Sequence, residues 1–177
     1  MLLSEQLLIS IKSGIPVLIF NIICASKPEK EITMYQKIVA ALDFSENNAQ
    51  VLSSALKLAN NNASNLHLIH VVQPITEGYA LNVYSKNFLA IEEEALESAT
   101  EQLSKIAEAE KIPSDQIRII VGDRAGEIRK LAEEIDAEVI VIGSHGYSGQ
   151  KRLLGATANK LLHGAKCDIL TVHASEI

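Results

Sequence analysis

The chain has 177 residues, 47% of them hydrophobic, with a net charge of −6 and a pI of about 5.4. That is one domain's worth of sequence with a substantial core, and its acidic balance excludes a general nucleic-acid binder, which needs basic patches against phosphate. Cys24 and Cys167 are its only cysteines, too few for a disulfide framework and without the C-x-x-C spacing of a zinc site.

Residues 1–33 read differently from the rest. The run Ile15–Ala25 is apolar but falls short of the roughly 20 residues that span a bilayer. As a signal peptide it has only Lys12 as a preceding positive side chain, offset by Glu5, and Ile23 stands where a lipoprotein needs a small residue before Cys24. Met34 directly precedes the first clear strand, so residues 1–33 are expected to lie outside the domain, as an upstream extension from a mis-assigned start or as a leader, with an export signal as the rival. The domain is then 34–177, and the expected location is the cytoplasm, without membrane attachment.

From Met34 the elements alternate. Lys37–Leu42 is a buried strand ending at Asp43. Ser45, or alternatively Asn48, caps a helix marked by Val51, Leu52, Ala55, Leu56 and Leu58, which Asn60-Asn61-Asn62 ends. Leu66–Val72 is a second strand, and Pro74 and Gly78 place a loop after it. A long helix to about Lys111 carries the stripe Leu96, Ala99, Leu103 and Ile106, with Glu92-Glu93-Glu94 near its positive end. Ile117–Val121, Glu138–Ile142 and Asp168–His173 are the remaining strands. Ile128, Leu131, Ala132 and Ile135 mark one intervening helix, and the last helix ends near His163.

Such alternation predicts a parallel sheet with helices on both faces, in the flavodoxin-like order 2-1-3 or a relative. Ligands bind such sheets beyond the carboxyl ends of the strands, where the winding reverses. That rule brings forward Asp43–Ser45 and the loop Gly143–Gly155. The loop holds four of the chain's nine glycines. Glycine lets backbone N–H groups approach a phosphate, particularly where a helix begins. Lys151 and Arg152 add charge, and Ser144, Ser148 and Thr157 add hydroxyls. The alternative is a tight connection that needs glycine for its geometry alone. The loop is neither a Walker A sequence nor a GxGxxG fingerprint.

Tyr35–Ser45 (YQKIVAALDFS), Leu68–Val72 (LIHVV), Gly122-Asp123 and Gly143-Ser-His-Gly146 together resemble the universal stress protein family, the UspA-like proteins, in order and spacing from Met34 onward. The resemblance implies a Rossmann-like (adenine nucleotide alpha hydrolase-like) five-stranded parallel sheet and a homodimer paired through the last strand, 168–173. It also implies a split between members that bind ATP, with Mg or Mn, and members that do not. Binders carry G-x2-G-x9-G-Ser/Thr. Gly143 and Gly146 match the first two positions, Gly155 follows Gly146 after eight residues, and Ala156 stands in place of Ser or Thr. Asp43 and Val71 match the residues that flank the adenosine. The expected site is Ala41, Asp43, Ser45, Val71, Gly143, Ser144, Gly146, Gly155, Ala156 and Thr157, for ATP or AMP.

The expected function is an ATP-binding regulatory, stress-response homodimer. The alternative is a dimeric interaction module of the same fold with a vestigial pocket. No nucleophile-and-base arrangement supports an enzyme beyond slow ATP hydrolysis. A response-regulator receiver would need a second acidic residue beside Asp43 and a lysine after the last strand. A flavodoxin would need its phosphate loop after the first strand. His70 is read as a strand-end histidine and Cys167 as a small packing residue.

Overall fold

Short apolar runs alternate with stretches of helical period along the chain, and each folds as its period dictates. The computed structural model describes residues 17–20, 35–74, 86–144 and 154–173. These residues form β1 (Val17–Phe20), β2 (Ile38–Ala41), α1 (Asn48–Leu58), β3 (Leu66–Val72), α2 (Lys86–Glu110), β4 (Ile117–Val121), α3 (Arg124–Glu134), β5 (Val139–Gly143), α4 (Ala156–Leu162) and β6 (Asp168–Val172).

The sheet order is β1-β6-β5-β2-β3-β4. β2 through β6 are parallel, with β2 central and paired to both β3 and β5. The chain winds outward from β2 through β3 to β4, then crosses back and winds the other way through β5 to β6. This is the Rossmann relative of the expected topology, and its switch point lies between β2 and β5.

Strand alternation sorts the core into two layers. Ile38, Ala40, Leu68, Val139, Val141, Leu170 and Val172 face one way, against Val51, Leu52 and Ala55 of α1 and Leu103 and Ala107 of α2. Val39, Ile69, Val71, Ile140, Ile142 and Ile169 face the other way, against Ala125, Ile128, Leu131 and Ala132 of α3 and Ala158 and Leu161 of α4. Cys167 packs at the margin of this second layer, as a small apolar residue would.

Helix ends depart from the expected capping. The N-cap of α1 is Asn47, which makes no side-chain capping bond. Ser45 instead opens the helix through its carbonyl, which accepts the Asn48 N–H at 3.1 Å. The Asn48 side chain turns back to accept the Asp43 N–H at 3.2 Å. At the other end, Asn60 and Asn61 adopt positive φ, which asparagine tolerates better than most residues. Because α2 opens at Lys86, Glu92–Glu94 lie beyond its first turn, where the dipole is weak.

The sixth strand comes from the segment expected to lie outside the domain. Val17–Phe20 runs antiparallel to β6, pairing Val17 with Val172, Leu18 with Thr171, Ile19 with Leu170 and Phe20 with Ile169. No described helix is long and apolar enough to cross a membrane.

Candidate functional site at the switch point

Beyond the carboxyl ends of β2, β3 and β5 lies a cleft of about 260 Å³. β2 and its following turn contribute Ala41, Asp43 and Ser45, β3 contributes His70 and Val71, β5 contributes Gly143, and the start of α4 contributes Gly155, Ala156 and Thr157. Eight of the ten expected site residues are therefore brought together. Ser144 is not among the lining residues, and Gly146 lies outside the described residues, as do Lys151 and Arg152.

Ser144 serves the site through its backbone. Its N–H donates to the Val172 carbonyl at 2.8 Å, and its carbonyl accepts the Gly155 N–H at 2.7 Å. Its hydroxyl lies 3.1 Å from Nδ1 of His173. These bonds tie the end of β5 to the end of β6 and to the residue that opens α4, so both ends of the glycine loop are anchored at the cleft.

The turn after β2 is shaped by its own polar groups. Asp43 Oδ1 accepts the Ser45 N–H at 3.0 Å, an Asx-type turn. Between them Phe44 takes φ 58°, an uncommon conformation for an aromatic residue. Its ring stacks on His70 with centroids 4.2 Å apart and planes 26° from parallel. His70 Nδ1 lies 2.8 Å from the Leu42 carbonyl oxygen. A carbonyl only accepts, so Nδ1 carries the proton and Nε2 of the neutral ring keeps a lone pair.

Burial pushes the His70 pKa below the ordinary 6.5, against the Leu42 hydrogen bond; Arg124 adds to the lowering and Asp43 opposes it. His67 is lowered too, again mainly by burial. Between the folded and unfolded pKa values the unfolded chain binds more protons, so stability rises with pH there. The contribution of both rings is complete above the unfolded value and is lost as pH falls below it. Thermal unfolding of the full chain is therefore expected at lower temperature at about pH 5 than at about pH 7, with a smaller difference in His70→Gln. An equal difference in parent and variant would remove His70 from this account.

Three polar lining residues were not marked by the sequence as site residues: Asn47, His70 and Arg124. Arg124 is the first residue of α3 and supplies the cleft with a guanidinium. Asp123 just before it is committed elsewhere. It caps α3 by accepting the Gly126 N–H at 2.9 Å, and its other oxygen takes Lys160 Nζ at 3.1 Å. Those bonds hold its carboxyl below the usual range.

The cleft holds an unpaired polar group that a polar ligand could meet. The Ser45 hydroxyl oxygen is buried and has no hydrogen-bond partner among the described residues. Buried polar atoms are rarely left unpaired, and a polar ligand in the cleft would supply the missing partner. A larger cavity of about 440 Å³, lined by Arg129, Glu133, Lys166 and Cys167 among others, lies near the starts of β5 and β6. It is the wrong end of a parallel sheet for ligand binding, so position outweighs size here. No group of three or more described His, Cys, Asp or Glu side chains is arranged to hold a metal ion.

A doubly wound parallel sheet with a polar cleft at its switch point defines a Rossmann-like α/β protein. The chain belongs to the universal stress protein family, whose family model matches residues 34–173. It is similar to universal stress protein A homolog 2 of Coxiella burnetii, at 36% identity over 140 residues, covering 78% of this chain and 94% of the relative. Homolog 1 of the same organism is 32% identical over 145 residues, covering 80% and 99%. Among solved structures, the universal stress protein UspA of Lactobacillus plantarum superimposes with a TM-score of 0.62 at 18% identity, covering 79% of this chain and 99% of that one. A universal stress protein solved in complex with cAMP gives a TM-score of 0.53 at 24% identity, covering 81% and 100%.

Proposed function

We propose that this universal stress protein binds ATP in the switch-point cleft and acts as a cytoplasmic, homodimeric regulator of a stress response. The observation that carries the reading is the buried, unpartnered Ser45 hydroxyl in a cleft that also holds the Arg124 guanidinium and the Asp43 carboxylate. Asp43 and Val71 would flank the adenosine, as the resemblance implies, while Gly143, Gly155, Thr157 and Arg124 would hold the phosphates. Mg or Mn would accompany the nucleotide as its counter-ion. The cAMP bound by one structural relative is also an adenine nucleotide. The reading is one of binding, with ATP as the regulatory signal.

Ala156 supports the second reading, an interaction module with a vestigial pocket. It lines the cleft with a methyl group where nucleotide-binding members present a hydroxyl. The test is calorimetric titration of ATP into the full chain and into Ala156→Ser. A hydrogen bond to a charged group contributes about 1.5–3 kcal/mol, so the serine is expected to tighten binding roughly ten-fold or more. Binding by neither protein up to millimolar ATP would leave the dimeric interaction module as the function.

A further inference from the structure

We propose that Val17–Phe20 is an intramolecular cap on the β6 edge of the sheet, and that it competes with a second copy of this chain for that edge. The proposal rests on the homodimer reading above and adds what would control it.

A two-fold axis through a strand edge reverses the direction of the facing strand, so β6 can meet its own copy only antiparallel. β1 meets β6 antiparallel too, alone among the described strands. The registers can be compared position by position. Self-pairing centred on Leu170 would set Ile169 of the partner subunit against Thr171 and Leu170 of the partner subunit against Leu170. β1 sets Leu18 against Thr171 and Ile19 against Leu170. The cap thus offers Leu-Ile at the two central positions where a second copy offers Ile-Leu.

The outer positions differ. Opposite Val172 a second copy would place Asp168 of the partner subunit, whereas the cap places Val17. In the chain described here the Asp168 carboxylate already accepts the Tyr35 hydroxyl at 2.8 Å. The cap is the more apolar occupant and leaves that bond undisturbed. The opposite edge of the sheet is protected differently. β4 carries Arg118, exposed and 3.5 Å from Glu134, and a charged side chain on an edge strand discourages pairing. β6 has no charged side chain between Ile169 and Val172, and without the cap it would be the open apolar edge.

The experiment compares the full chain with the full-length double variant L18P/I19P by sedimentation equilibrium at micromolar concentration. Proline cannot donate to a strand ladder, and adjacent residues turn their N–H groups to opposite sides, so one of the two prolines removes the N–H that faces β6. A second full-length variant, Ile19→Glu, puts a charge opposite Leu170 without removing an N–H, and it decides the matter if the proline variant does not fold. The expected result is a parent that dimerises weakly and a variant that dimerises tightly, with the apparent dimer dissociation constant lowered by roughly ten-fold or more. Amide exchange at Ile169–Val172 in the variant should slow as concentration rises. A parent that is already a dimer, with the same dissociation constant as the variants, overturns the cap and leaves the homodimer standing. Folded variants that remain monomeric overturn dimerisation through β6, and the cap's competitive role with it.

Discussion

Asp43→Ala is expected to weaken ATP binding roughly 10- to 150-fold, the equivalent of one charge-assisted hydrogen bond of about 1.5–3 kcal/mol. The carboxylate has two tasks. It lines the cleft, and its Oδ1 accepts the Ser45 N–H at 3.0 Å, holding the turn in which Phe44 stacks on His70. Asp43→Asn separates them, because the amide oxygen can still close the turn while the charge is gone. A smaller loss in Asn than in Ala would assign the difference to the turn and the remainder to the charge. If both variants titrate like the parent, the nucleotide binds somewhere other than this cleft.

Leu103→Ala is expected to cost about 2–5 kcal/mol of stability, as deletion of a fully buried leucine does. Leu103 is 0% exposed and joins α2 to the layer that holds Leu66, Leu68 and Ile112. α2 is amphipathic, with Ala99, Leu103 and Ala107 buried along one stripe, so the lost methyl groups leave a cavity that small neighbours cannot fill. For a domain of this size the loss corresponds to a midpoint lowered by about 4–20 °C in a thermal melt. An unchanged midpoint would mean that α2 does not anchor that face.

The parts of the fold that follow from local patterning were legible. Leu66–Val72 and Ile117–Val121 run over the spans their apolar residues mark, because a buried parallel strand has little choice of other states. The cleft was legible as far as topology reaches: the strand ends near Asp43 and Val71 and the two ends of the glycine loop, Gly143 and Gly155, converge once the sheet is parallel. Arg124 was not, since nothing in its neighbours distinguishes a helix-opening arginine that lines a cleft from a solvated one. The capping of α1 was misread because the Asn48 side chain bonds the turn and the Ser45 hydroxyl bonds neither turn nor helix, and several short polar residues in succession offer competing local bonds. The pairing of Val17–Phe20 with β6 was hidden for a different reason. Its partner lies about 150 residues away in sequence, and a four-residue apolar strand has the same composition as part of a leader.

The pairing of β1 with β6 also has a consequence in mass action. Fourteen residues, 21–34, join Phe20 to Tyr35, the residue whose hydroxyl is bonded to Asp168 at the start of β6. A tether of that length sets an effective concentration on the order of millimolar for its own strand. A free second copy at micromolar concentration faces a handicap on the order of a thousand-fold for the same edge, even with equal intrinsic pairing strength. Self-association at this edge would therefore respond less to how much of the protein a cell makes than to whatever loosens or removes the tethered strand.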